Sequence, residues 1–158
     1  MRELIRSIAC SICKALSVRD KKPQELVYEL VSSKKISLQD LYILIRDKFP
    51  GISLWISDNE YTLCHYNDVA YFLAISQIDK LPYEPETFDC DDYSAVLWGE
   101  FSKPPWSGLA IGYLWTEVHA LNCVVTEDLK FLFLEPQTDE LSEQLAPWQG
   151  LQPRLLII

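Results

Sequence analysis

Residues 88–94 read Phe88-Asp89-Cys90-Asp91-Asp92-Tyr93-Ser94, and the apolar positions that follow, Val96, Leu97 and Phe101, share one helical face with Tyr93. The spacing predicts a helix that begins at or just after Cys90 and ends before Pro104-Pro105. A cysteine that opens a helix lies against free backbone N–H groups and the positive end of the helix dipole, and both favour thiolate over thiol. Cys90 is therefore the candidate nucleophile, and the rest of the chain is read for the groups such a thiol needs.

Upstream, Pro82 and Pro85 make the approach to Cys90 extended, and Asn67 or Asp68 is expected to cap a helix running to about Ile78. Leu54-Trp55-Ile56 and Tyr61-Thr62-Leu63 flank Ser57-Asp58-Asn59-Glu60 as strand, turn and strand. Residues 1–50 read as three short helices. Leu4, Ile5, Ile8, Ile12 and Leu16 form the stripe of the first, Leu26, Val27, Leu30 and Val31 follow Pro23 in the second, and Ser37 caps the third before Pro50-Gly51 stops it. The division expected is an N-terminal helical segment, 1–50, packed on a core, 51–158, as one compact unit. Downstream, residues 109–116, 119–125 and 130–134 read as core strands, and 155–158 as an added edge strand.

Charge and cysteine usage narrow the function classes. Fourteen basic against 23 acidic residues give a net charge of −9, which repels phosphate backbones and argues against nucleic acid as partner. No run of 18 apolar residues and no signal peptide is seen, so neither membrane nor export is expected, and a reducing, cytoplasmic setting is the default. The five cysteines form no even framework, so disulfides are not expected. Cys10-Ser11-Ile12-Cys13 is one C-x-x-C without a second pair, read as two small residues of the first helix.

A cysteine nucleophile needs a base, and of the two histidines His119 is the candidate because it starts a core strand downstream of the cysteine helix, whereas His65 lies in a turn. A third group must then orient the imidazole. The strand pairing leaves three answers. A loop over 126–128 puts Glu135 directly across from His119, a loop over 127–129 puts Gln137 there, and a two-residue turn at Glu127-Asp128 gives Pro136 and no acid. Glu135 is the first choice and Gln137 the second.

The order Phe-Asp-Cys90-Asp-Asp-Tyr-Ser, Glu-Val-His119-Ala-Leu-Asn and Phe-Leu-Glu135-Pro-Gln resembles the papain-like cysteine proteases, in particular the carboxy-terminal protease domain of the Marasmius oreades mushroom agglutinin, and more loosely the transglutaminase-like peptidases. The resemblance spans roughly residues 61–139. It implies an α+β fold with a papain-like or transglutaminase-like core, the cysteine helix packed on an antiparallel sheet and short helices before it. It also implies a cysteine peptidase or related amide hydrolase acting on protein or peptide substrates through a Cys90 thioester, with His119 as general base and acid and Glu135 as orienting acid. The likeness is incomplete, because residues 82–86 carry no glutamine for an oxyanion hole and no lectin-type repeat precedes the core, so carbohydrate binding is not carried over. A non-catalytic interaction module on the same fold and a transamidase are the alternatives.

Asp89, Asp91 and Asp92 crowd the thiol with negative charge, which raises its pKa. A bound Ca²⁺ would offset this, with Asn67 or Asp68 as further oxygen donors, and the agglutinin likeness also implies calcium. The alternative is that acids in a first helical turn are caps.

Overall fold

The structure is a computed structural model and describes residues 28–146 and 149–158. The helix expected over 2–18, the start of the one expected after Pro23, and the Cys10/Cys13 pair lie outside the described residues. Leu30 and Val31, placed in that second helix by their spacing, are not helical.

The described chain runs β1 (Lys35–Ser37), α1 (Leu38–Lys48), β2 (Ser53–Trp55), β3 (Glu60–Thr62), α2 (Tyr66–Ile75), a 3₁₀ turn (Ile78–Lys80), α3 (Cys90–Phe101), β4 (Ile111–Trp115), β5 (Ala120–Val125), β6 (Phe131–Glu135), β7 (Glu140–Ser142) and β8 (Leu155–Ile157). Ser37 caps α1, its hydroxyl accepting the Asp40 N–H at 3.1 Å. At α2 the cap is His65, whose Nδ1 accepts the Asn67 N–H, and neither Asn67 nor Asp68 takes that place.

Six strands form one sheet in the order β2-β8-β4-β5-β6-β7, and β1 pairs with β3 in a separate ribbon. Residues 155–157 are therefore not an edge strand. They fill the gap between β2, to which they run parallel, and β4, to which they run antiparallel. The sheet is consequently mixed rather than wholly antiparallel. The strands either side of Ser57–Glu60 do not pair with each other, since β2 joins the large sheet and β3 the small one.

Alternation along the strands divides the core. Leu114, Leu121, Phe133 and Leu156 face the side covered by Leu41 and Ile45 of α1 and by Phe49 just after it. Ile111, Val124 and Leu134 face the other side, where Leu97 of α3 and Val69 and Phe72 of α2 close over them. Gly112 sits where β4 and β8 approach most closely, and a Cβ there would lie 2.6 Å from the Ile157 carbonyl oxygen and 2.7 Å from Leu156 Cδ1. Helix α3 lies over β4 and β5 on that second face. No helix among the described residues is long and apolar enough to cross a membrane.

Candidate functional site

Helix α3 starts at Cys90 because Asp89 stops the extended approach and caps it. The Asp89 carboxylate accepts the Asp91 N–H, while the Asp92 carboxylate reaches back to the Asp89 N–H at 3.1 Å, a reciprocal capping box. The helix is held to the sheet by Asn122 of β5, whose buried amide donates to the Ser94 carbonyl at 3.0 Å and the Gly112 carbonyl at 3.3 Å. Cys90 is thus fixed at one end of β4 and β5, half-buried.

His119 reaches the same place from the β4–β5 hairpin. Thr116 ties that turn, its N–H donating to the His119 carbonyl at 2.9 Å and its hydroxyl accepting the His119 N–H at 3.0 Å. Thr116 in turn donates to the Gln149 carbonyl, and the next residue, Gly150, has φ +84° with no room for a Cβ, which would lie 2.7 Å from Thr116 Oγ1. Cys90, His119, Trp115, Glu117 and Arg154 line one open cleft of about 400 Å³.

The imidazole is oriented by Glu135, Nε2 to Oε2 at 2.7 Å, and Glu135 is only 3 % exposed. The register behind this pairing is not the one expected for Glu135. Thr126 pairs with Lys130 around a 127–129 loop, and Asn122 stands opposite Leu134, so continuing the ladder puts Gln137 across from His119. β6 ends at Glu135, however, and Gln137 lies in the following turn, contributing only a backbone N–H to Glu135 Oε1 at 3.3 Å. His119 therefore reaches Glu135 diagonally, two positions along the neighbouring strand.

The thiol's surroundings do not favour its ionised form. Burial pushes the Cys90 pKa up, and the Asp89 and Asp91 carboxylates add to it, against partial relief from the Ala120 and Asp91 N–H groups. Asp89 and Asp91 share a hydrogen bond that holds the first below the usual carboxylate range and the second above it. Ligand atoms of Asp89, Cys90 and Asp91 lie within 4.8 Å of one another, whereas Asp92, counted with the two aspartates as a metal ligand, is turned into the capping box. Asp68 is also committed elsewhere, to Tyr28, Val31 and Ser32. Cys64 and Cys123 are buried, with thiol pKa values raised by that burial, Cys123 to about 12. Cys64, Cys90 and Cys123 are free thiols.

Sequence reasoning did not single out Thr116, Glu117, Asn122, Gln149 or Arg154. Nothing local marks them. Only the hairpin geometry and the loop crossing at Gly150 bring Thr116, Glu117 and Arg154 to the cleft, with Asn122 and Gln149 buried behind it.

No protein-family model matches the chain, and no curated protein does. The fold is shared with solved structures of a Polyporus squamosus lectin. A PSL1a–E64 complex superposes with a TM-score of 0.67 at 19% identity over 78% of this chain. The Polyporus squamosus lectin bound to the human-type influenza-binding epitope Neu5Acα2-6Galβ1-4GlcNAc superposes with a TM-score of 0.63 at 18% identity, again over 78% of this chain. The chain spans about half the length of these lectin chains, 50% and 49%.

These findings correct the family expectation. The neighbours that share the fold are lectin chains, and so the expected papain-like cysteine protease, with its hydrolase activity and its protein or peptide substrate, gives way. The physical reason the motifs misled is that order along the chain places Cys90, His119 and Glu135 together without setting what they do. What stands is their placement: a half-buried thiol at the cleft, and an imidazole pinned by a buried carboxylate.

Proposed function

We propose that the chain is a non-catalytic interaction module and that its ligand class is carbohydrate, taken up beside Cys90. The observation that carries this is the make-up of the cleft, where the exposed indole of Trp115 stands beside polar groups while the thiol is held towards its neutral form. An indole face packs against the C–H face of a sugar ring, and the flanking carboxylate, guanidinium and backbone groups satisfy its hydroxyls. The lectin neighbours support the ligand class, one of them being bound to a sialylated glycan.

The test pairs a glycan array with intact-mass measurement after incubation with E64, the compound named in the other neighbour's complex. Retention of a glycan that weakens on Trp115→Ala and persists on Cys90→Ala, with no mass gain from E64, supports the reading. A covalent E64 adduct at Cys90, or turnover of a peptide abolished by Cys90→Ala, overturns it.

A further inference from the structure

The pairing of β2, β8 and β4 builds a second surface next to the cleft. Trp55 stands opposite Ile157, and Ile157 opposite Tyr113, so the three side chains project from one face of the sheet. Trp115 follows Tyr113 by two residues and belongs to the same face. The alternating residues Leu54, Leu114 and Leu156 point the other way, into the core shared with α1. Along this row Trp55 is 68% and Trp115 43% exposed, and Tyr113 and Ile157 between them are half-buried. Neighbouring strands lie ~4.8 Å apart, so Trp55 and Tyr113 are separated by roughly 10 Å across the sheet. The Tyr113 and Trp115 ring centroids are 6.0 Å apart and inclined at 52°.

The row runs into the acidic start of α3. Trp115 lines one cleft with Cys90, and the ligand atoms of Asp89 and Asp91 lie within 4.8 Å of each other and of the Cys90 sulfur. Burial is the first cause of the raised Tyr113 hydroxyl pKa, with the charges of Asp91, Cys90, Asp92 and Asp89 adding to it. Of the other polar groups around the row, Arg154 is paired with Glu117 at 2.9 Å, and His119 is held by Glu135. The open aromatic face therefore sits in a negative field with its nearby guanidinium already paired.

We infer that the Trp55–Tyr113–Trp115 face binds a positively charged amino sugar, its pyranose ring stacked on an indole and its ammonium directed to the aromatic faces and the α3 carboxylates. Charge complementarity selects this occupant: an ammonium gains from both the aromatic quadrupoles and the aspartates, an N-acetylated sugar loses that gain, and an acidic sugar is repelled. The inference rests on the interaction-module reading and names its ligand.

The experiment titrates the full chain, by calorimetry, with a glucosamine tetramer, an N-acetylglucosamine tetramer and a tetralysine peptide, each at low and high salt. The expected result is binding of the glucosamine tetramer that weakens with salt, falls about tenfold on Trp55→Ala or Trp115→Ala, and falls again on Asp91→Asn. Trp55 and Trp115 are exposed, and unchanged thermal unfolding of those variants confirms that the fold is intact. Equal binding of both tetramers, or binding that falls on Trp115→Ala but is indifferent to Trp55→Ala, overturns the inference while leaving the interaction-module reading in place. Equal binding of tetralysine overturns the sugar and leaves only a cation surface. Absence of any glycan binding together with an E64 adduct at Cys90 identifies the failure as that of the underlying reading.

Discussion

Asp68→Ala is expected to be strongly destabilising, and its cost follows from four hydrogen bonds. The carboxylate is fully buried at the start of α2 and accepts the Val31 N–H at 3.0 Å, the Ser32 N–H at 2.6 Å, the Tyr28 hydroxyl at 2.8 Å and the Ser32 hydroxyl. The bonded Ser32 hydroxyl accepts the His65 N–H at 2.7 Å, and the bonded Tyr28 ring stacks on Tyr71 with centroids 4.0 Å apart. Alanine strands the buried Ser32 N–H and hydroxyl and the part-buried Val31 N–H, at ~1–3 kcal/mol for each buried group, so a loss of about 4 kcal/mol is expected. In a protein of this size that lowers Tm by about 10 °C. Asp68→Asn keeps one acceptor oxygen and should lose about half as much. Burial alone would raise this carboxyl's pKa, yet the bonds from Ser32, Val31 and Tyr28 outweigh it and hold the group below the usual range. A depressed folded-state pKa gives stability that is present above the unfolded value of about 3.9 and lost as pH falls through the folded one. The gap between wild type and Asp68→Asn should therefore be full at pH 7 and shrink below about pH 4. Urea denaturation at pH 7, 4 and 3 measures it. A cost below about 1 kcal/mol for Asp68→Ala, or a gap that ignores pH, refutes the reasoning.

Gly112→Ala should cost about 2 kcal/mol, since the added methyl overlaps the Ile157 carbonyl and forces β4 from β8; calorimetric Tm tests this, and an unchanged value means the strands have slack. Iodoacetamide labelling of Cys90 against pH should show a midpoint above that of a free cysteine peptide, moving down on Asp91→Asn because one of the charges opposing the thiolate is gone; a midpoint below the free-peptide value contradicts the neutral-thiol account. Glu135→Ala should destabilise by about 2 kcal/mol and shift the His119 ring resonances in NMR, whereas Gln137→Ala, which removes only a side chain beyond the backbone N–H in use, should do neither.

How far the sequence could be read depended on whether a feature is local. The Ser37 cap of α1 and the start of α3 at Cys90 are set by residues within one helical turn, and both were legible. The α2 cap was not, because Asp68 looks like a cap in sequence and is instead drawn into long-range bonds with Tyr28, Val31 and Ser32, leaving the task to His65. The inner position of β8 was invisible for the same reason, as its hydrophobic pattern reads alike at an edge or between two strands. Glu135 was chosen through a register the chain does not use, and the diagonal reach from His119 rescued the residue but not the argument. Charge near Cys90 was legible in Asp89 and Asp91, whereas Trp55 and Trp115 came onto one face only once β8 was known to separate β2 from β4.

The inner position of β8 also sets an order of assembly. β4 to β7 form an antiparallel meander from neighbouring stretches, able to close as soon as residues 111–142 are available. β2 lies about a hundred residues before the strand it pairs with, so that loop-closure entropy falls on a single late event. Docking of residues 155–157 then zips two strands at once, and Ile158 follows by accepting the Tyr61 hydroxyl at 2.9 Å and the Ser57 N–H at 3.0 Å. Until that moment the β4 edge is bare and β2 has no partner, a window in which one molecule's unpaired edge is open to another's.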